Sequence, residues 1–342
     1  MKIVVISTTI MTLPPAGYSG LEMLAWQQAE GLAKLGHQVL LVAPVGSKSV
    51  PGVELHGTTL GEQEGQAFTG YAHRLKDWDV IIDNSWLKFA YLSKIEGQLK
   101  PPVLGVSHAP ISTMYQKTPP MPRPCMVCIS HDQAAEAKEL FKIDTRVAHN
   151  GVDMNFYKPL PIAIRGFDRY LFLARFSRIK GAHIALDVAE KTGVGLDLVG
   201  DDKITGEPDY AKECVARASR IPGAIYHGGA TREKCAEWFN RAKAMLHMNQ
   251  LFREPFGLAP VEAQLCGCPV IAWDYGAMRE TIKHGETGFL VTSPEEVIEL
   301  VKTDAVAKLK PERCREWASQ FSIENMVKRY EELCKEAIEG GW

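Results

Sequence analysis

The chain is predicted to be α/β, with two tandem Rossmann-like, doubly wound domains facing across a cleft. Three observations predict this. Apolar runs of strand length alternate with stretches of helical period along both halves. A length of 342 residues is long for one core and suits two domains of average size. The segment Lys158-Pro159-Leu160-Pro161-Ile162-Ala163-Ile164-Arg165-Gly166 has the composition of a linker and no clear period. The expected domains are therefore residues 1–157 and 158–322, followed by a terminal segment, 323–342.

In the first half, residues 3–7 form an apolar run of strand length. Leu21, Leu24, Ala25, Leu32 and Leu35 then recur with helical period, and Gly36 supplies a stop. Residues 37–43 are again β-rich. This is a βαβ unit, which implies a parallel sheet covered on both faces. Strands over 80–82, 103–106 and 126–129 continue it, with a helix over 132–141. In the second half, strands are expected over 170–174, 196–199, 224–226, 244–248, 270–273 and 289–291, with helices between them. Residues 323–338 read as a Glu- and Lys-rich surface helix whose pattern leaves open which domain it covers.

Composition removes several classes of function. Hydrophobic residues at 46% and charged residues at 23% are ordinary for a globular protein. A net charge of −2 gives no electrostatic case for nucleic acid or for a basic membrane surface. No apolar run reaches the ~20 residues that span a bilayer. The apolar start meets Thr8, Thr9 and a proline pair instead of a cleavage site, so it reads as a first strand and not a signal peptide. The eight cysteines lie between Cys125 and Cys334 without the dense spacing of a disulfide scaffold, and a cytoplasmic location is expected.

In such domains a ligand belongs at the carboxyl ends of the parallel strands, in the cleft. The most informative stretch is Glu254-Pro255-Phe256-Gly257-Leu258, followed by Glu262 and Gly267-Cys268-Pro269-Val270-Ile271. If Glu254 ends a loop and Glu262 lies in the early turns of a helix, their Cα atoms are roughly 10 Å apart at ~1.5 Å per helical residue. That is too far for one shared proton. It suits two carboxylates holding different hydroxyls of one long ligand. Between them, the first helical turn offers unpaired amides and the positive end of a dipole, where an anion is welcome.

Arg175 and Lys180 follow a strand and precede Gly181 and a helix, the layout of a diphosphate clamp, though a solvated basic loop reads the same way. His108 ends a strand of the first domain, where a functional and a structural histidine are equally in keeping with the pattern. Gly20 stands where the first helix begins and lets a ligand approach backbone amides. The dinucleotide fingerprint is absent after the first strand, and Ala43-Pro44 replace the acidic residue that would end the second. Neither a nucleophile elbow nor a P-loop occurs. Cys125 and Cys128 form a CxxC with no second pair to complete a zinc site, since Cys266 and Cys268 are spaced CxC. Asp77-Trp78-Asp79 precedes a strand and reads as a capping and turn element, not a metal site.

Taken in order, these segments resemble the retaining glycosyltransferases of family 4, the group 1 glycosyl transferases with the GT-B fold. The resemblance runs through Gly17-Tyr18-Ser19-Gly20-Leu21-Glu22, Gly36-His37-Gln38-Val39, and Asn150-Gly151-Val152-Asp153 with Phe156 and Pro159. It continues through Arg175 to Lys180-Gly181, the Glu254-to-Glu262 signature, Gly267-Cys268-Pro269-Val270 and Gly285-Glu286-Thr287-Gly288-Phe289-Leu290. It implies that Arg175 and Lys180 grip a donor diphosphate and that Glu262 holds the ribose. Glu254 would hold sugar hydroxyls, beside the amides of Phe256, Gly257 and Leu258. Gly20 would approach the donor phosphate, His108 the sugar near its reacting carbon, and His227-Gly228-Gly229 the base. The terminal helix would cross back to the first domain. Ser19-Gly20 departs from the family's paired glycines and Ala174 from its usual glycine.

The implied activity is transfer of a sugar from a UDP- or GDP-sugar to an acceptor hydroxyl, with retention and without metal or cofactor. The acceptor would be a sugar, a lipid-linked sugar or a small molecule, held by first-domain loops at 8–19, 84–88 and 109–124. The competing readings are another GT-B activity, such as a phosphorylase or nucleotide-sugar epimerase, and a non-catalytic two-lobed sugar- or nucleotide-binding protein.

Overall fold

The structure is a computed structural model, described for all residues except 16, 18, 49, 115–124, 162–167 and 204–205. Tyr18, most of the linker at 162–166 and most of the loop at 109–124 therefore lie outside the described residues. The chain divides into two compact units, Met1–Gly151 with Ile323–Trp342, and Val152–Ser322. The boundary expected at 157/158 thus falls at 151/152. Residues 152–157 are held within the second unit: Val152 N–H donates to the Phe321 carbonyl at 2.8 Å, and Arg315 donates to the carbonyls of Met154 and Tyr157 at 3.0 and 2.9 Å.

Seven strands build the first unit: β1 (Lys2–Ile6), β2 (Gln38–Pro44), β3 (Val53–Thr58), β4 (Val80–Asp83), β5 (Val103–Ser107), β6 (Met126–Cys128) and β7 (Arg146–Val147). Their order is β3-β2-β1-β4-β5-β6-β7, and every pairing is parallel. β1, β4 and β5 are apolar on both faces because helices cover both. β3 and β7 were absent from the sequence reading. β3 is an edge strand with exposed Glu54 and Leu55, and β7 has two residues, so neither carries a buried apolar run. The helix Gly20–Lys34 buries Leu24, Ala25, Ala29 and Leu32. The terminal helix Ile323–Ile338 packs on it, burying Met326, Val327, Tyr330 and Leu333.

The second unit has β8 (Arg169–Leu173), β9 (Gly195–Val199), β10 (Ala224–Tyr226), β11 (Met245–His247), β12 (Val270–Trp273) and β13 (Gly288–Val291), in the order β10-β9-β8-β11-β12-β13. All pairings are again parallel. The core combines Tyr170, Phe172 and Leu246 on strands with Ile184, Ala185 and Val188 of the helix Ala182–Thr192. In each sheet the strand order reverses once, between β1 and β4 and between β8 and β11. Connections leave those neighbouring strands toward opposite faces, which opens a crevice at their carboxyl ends. The sites below grow from these two places. Both CxxC thiols are buried, and burial pushes Cys128 up to about 12, the property of a packed thiol and not of a reactive one. Asp79 accepts the Lys2 amide at 2.7 Å, so it ties the start of β4 to the start of β1.

Candidate active site

In the second unit, the turn after β8 carries Arg175, exposed, and a short 3₁₀ turn, Arg178–Lys180. Gly181 follows with φ 75°, and a Cβ there would stand 2.1 Å from the Met248 carbonyl oxygen. Only glycine permits both the left-handed backbone and that approach. The approach brings the β8 turn onto the end of β11, and so brings Lys180 to Glu254. Lys180 Nζ donates to Glu254 Oε2 at 2.7 Å, with the side chains 16% and 12% exposed. Asn249 Nδ2 donates to the same oxygen at 2.6 Å.

Glu254 is fixed from a third direction. Gly276, in the turn after β12, has φ 69°, and a Cβ there would lie 2.4 Å from the Glu254 carbonyl oxygen. Ala277 N–H donates to that carbonyl at 2.8 Å. The backbone of the carboxylate is therefore clamped by a turn that the sequence reading did not single out. Burial alone would raise the Glu254 carboxyl. The Lys180 and His247 charges and the Lys180 and Asn249 hydrogen bonds outweigh burial and hold it below the usual carboxylate range.

His247 ends β11 and was also missed. Its Nε2 lies 3.7 Å from Glu254 Oε2, beyond hydrogen-bond reach, and is buried without a partner; the Asn249 Oδ1 is buried without one too. Burial, reinforced by the Lys180 charge and opposed by Glu254, lowers His247 to about 4, so the ring is neutral near pH 7. A polar residue interrupting the apolar run Met245-Leu246-His247-Met248 was the available signal.

Beyond Glu254, Phe256 is buried against Phe321 with ring centroids 5.4 Å apart, and anchors the loop. Gly257 then caps the helix Leu258–Leu265 with φ 85°. Glu262 lies within that helix, 6% exposed. Its charge adds to burial in raising Cys235, which reaches about 12, and in raising Tyr157. The charge of Glu262 thus acts on Cys235 and Tyr157, whereas Glu254 meets Lys180, Asn249 and His247. The carbonyl of Gly228 accepts the Gly200 amide at 2.8 Å, and space is open where its Cβ would be. Beside it His227 contacts Asp197 at 2.8 Å and stacks near Trp238 at 4.2 Å.

In the first unit, Gly20 opens its helix after Ser19, and Glu22 accepts hydrogen bonds from Ser19 and, at 2.6 Å, from Thr8 at the end of β1. His108 follows β5. Its Nε2 lies 3.0 Å from Asn84 Oδ1, while Asn84 Nδ2 donates to Gln28 Oε1 at 2.8 Å. That amide orientation makes Oδ1 the acceptor, so Nε2 carries the proton. Burial first, and the Lys88 charge second, push His108 well below its ordinary value and keep it neutral.

The loop at 84–88 is pinned at every amide. Asn84 donates to the Ile6 carbonyl at 3.0 Å and Ser85 to Asp83 Oδ1 at 3.0 Å. Trp86 and Leu87 donate to the two oxygens of Glu64 at 2.9 and 2.6 Å, and Lys88 to Ser85 Oγ at 3.2 Å. Lys88 has φ 56° and a buried ammonium that donates to the Ser85 carbonyl. The loop nevertheless exposes Trp86 and Leu87, at 41% and 59%.

Two units, each built on a parallel α/β sheet, match the two-domain GT-B fold of solved glycosyltransferases. Residues 165–320, within the second unit, match the family model described as "Glycosyl transferases group 1". Among curated relatives, an uncharacterized 41.2 kDa protein in the cps region of Klebsiella pneumoniae is 31% identical over 173 residues, 48% of this chain and 45% of that protein. A D-inositol 3-phosphate glycosyltransferase of Paenarthrobacter aurescens is 28% identical over 167 residues, 45% of this chain and 40% of that one. The match thus spans less than half the length of either relative. Among solved structures, Anabaena HepE in complex with UDP-glucose superposes with a TM-score of 0.76 at 20% identity, covering 98% of this chain and 100% of that one. Among the described residues, no helix is long and apolar enough to cross a membrane.

Proposed function

We propose that the chain is a retaining glycosyltransferase that moves a sugar from a nucleoside-diphosphate sugar to an acceptor hydroxyl, without metal. The observation that carries the reading is the Lys180–Glu254 pair at the reversal of the second sheet. A cation and a carboxylate held nearly dry, beside unpartnered polar atoms, match a ligand with an anionic part next to a hydroxyl-rich part. The relatives support it: D-inositol 3-phosphate glycosyltransferases recur among them, and HepE is described with UDP-glucose. A UDP-sugar is accordingly the first donor to test, and a GDP-sugar the second.

In this reading Lys180 turns from Glu254 to the diphosphate, joined by Arg175, and both stabilise the charge that grows on the departing nucleotide. The amides of Phe256, Gly257 and Leu258 and the dipole of the Leu258–Leu265 helix add to that stabilisation, with Gly20 allowing backbone approach to phosphate. Glu254 holds sugar hydroxyls, Glu262 the ribose, and the Gly228 segment the base. Neutral His108 suits contact with the sugar near its reacting carbon, since its one N–H is held by Asn84, its other nitrogen can accept from a hydroxyl, and the ring adds no positive charge beside an oxocarbenium-like centre. The leaving phosphate takes the acceptor's proton while the acceptor attacks from the same face. The rigid loop at 84–88 suits acceptor contact, because its ordering cost is met before binding.

Incubation with UDP- and GDP-sugars, with release of nucleoside diphosphate as readout, tests the reading. Acceptor-dependent release supports it. Binding without release points to a sugar-binding protein and overturns it. EDTA is expected to leave turnover unchanged; loss restored by Mn²⁺ or Mg²⁺ would return Asp77 and Asp79 to consideration as metal ligands.

A further inference from the structure

We infer that His247 and Asn249 are specificity-determining residues that read adjacent hydroxyls of the donor sugar, working with Glu254. The inference rests on the donor reading above and extends it to two residues to which that reading gives no role.

Buried polar atoms without partners are rare, because each forfeits its hydrogen bond to water. Here two occur within one short segment, His247 Nε2 and Asn249 Oδ1, on residues only 6% and 3% exposed. Both flank the same carboxylate. Asn249 touches Glu254 Oε2 through its Nδ2 at 2.6 Å, and His247 Nε2 stands 3.7 Å from that oxygen. A purely structural role would close these gaps, since a direct His247–Glu254 hydrogen bond needs less than an ångström of movement. Gly181 packs against Met248 between the two residues and Gly276 against the Glu254 backbone, so the main chain on both sides is tightly placed.

The gap has the right size for one oxygen. Two atoms 3.7 Å apart can each lie about 2.8 Å from a third placed at the apex, an ordinary hydrogen-bond length. A hydroxyl there accepts from the N–H of the neutral His247 ring and donates to Glu254. Oε2 already takes two donors, Lys180 and Asn249, so the hydroxyl takes the place that Lys180 leaves when the ammonium turns to the diphosphate. Asn249 Oδ1 is an acceptor only, and accepts a hydrogen bond from the neighbouring hydroxyl. One exchange of partners therefore couples phosphate binding to sugar reading. No proton changes hands between protein and ligand.

Calorimetric affinities of wild type and His247→Leu for UDP, GDP, UDP-glucose and GDP-mannose test this. For whichever nucleotide binds, the sugar increment is the ratio of affinities with and without the sugar. In His247→Leu that increment is expected to fall about tenfold, the loss of one hydrogen bond, with the bare nucleotide bound as in wild type. Asn249→Asp keeps the size but removes the Nδ2 donor to Glu254 and sets a repelling charge beside it, so as the second variant it tests the Asn249–Glu254 pair as a unit; its increment falls further. Monodeoxy analogues of the bound nucleotide sugar complete the cycle: one of them should bind wild type and His247→Leu equally. An unchanged sugar increment in His247→Leu, or an equal loss for the bare nucleotide, overturns the inference and leaves the donor reading standing. Failure of wild type to bind any of the four probes overturns both.

Discussion

The two crevices occupy the same topological place, yet the carboxylate of each is held in a different way. At the reversal between β1 and β4, Asp83 accepts from the Ser85 amide, the Ser85 hydroxyl at 2.6 Å and the Tyr91 amide at 3.1 Å, and His108 is tied through Asn84 to Gln28. At the reversal between β8 and β11, one carboxylate oxygen takes two donors while His247 and Asn249 each keep a buried atom unused. A satisfied network rigidifies; an unsatisfied one retains free energy for a ligand to recover. On the proposed reading the first crevice is chiefly a scaffold that aims side chains, although Ser7 Oγ there is also buried without a partner, and the second supplies the groups that meet the donor.

The largest test of that contrast is Lys180→Ala. It leaves the Glu254 carboxylate nearly buried with no cation, at a cost of about 3–5 kcal/mol. Turnover should fall at least about a hundredfold if the ammonium stabilises the leaving group as proposed. Denaturant unfolding should show the double variant Lys180→Ala/Glu254→Ala regaining part of the stability, because the stranded charge is gone. No regain would place the loss elsewhere.

Asp83→Ala strikes the first crevice. Three donors lose their acceptor, and a drop in stability of about 2–3 kcal/mol is expected. Nucleotide affinity by calorimetry should stay within about twofold of wild type, since the altered groups bind no donor. A parallel collapse of nucleotide affinity would contradict the scaffold role.

Within the second crevice, Glu254→Ala and Glu262→Ala divide the ligand. Glu254→Ala should lower turnover by about a hundredfold, and Glu262→Ala should chiefly weaken donor binding, by about tenfold. Steady-state kinetics with calorimetry separates them, and equal donor affinity in wild type and Glu262→Ala rules out the ribose role.

The smallest effect is on pH. His247 falls from 6.5 to about 4 on folding, so between those values the unfolded chain binds more protons. Its contribution to stability is complete above about 6.5 and is lost as pH falls toward 4. Glu254, held low in the folded state, contributes in the same direction, its share fading as pH drops through its depressed value. Unfolding midpoints from pH 7 to 4 should fall less steeply in His247→Leu. An identical slope would mean that the imidazole is not protonated on unfolding.

Much of the fold was legible because periodicity reports burial directly. Strands β1, β4, β5 and β12 are apolar on both faces and stand out from their surroundings, whereas β3 and β7 sit at an edge, where little apolar surface is buried and little pattern results. Residues 170–174 and 244–248 were each displaced by a residue at their ends, where a strand's pairing stops but its apolar run does not. The unit boundary moved because Val152 pairs with Ser322, a contact far off in sequence that no local composition encodes. Lys180 and Glu254 could be nominated from their segments, but their pairing depends on Gly181 closing against Met248.

By itself the sequence determined two parallel α/β sheets, the strands whose carboxyl ends carry chemistry, and the charged residues placed there, because hydrophobic period and local turn chemistry act over a few residues at a time. Tertiary structure alone decided that Lys180 lies on Glu254, that Gly276 clamps the carboxylate's backbone, and that His247 and Asn249 are left with buried atoms unused. Those facts depend on distances between strands that are sequential strangers, and on whether a polar atom finds a partner after packing. No local rule fixes that in advance.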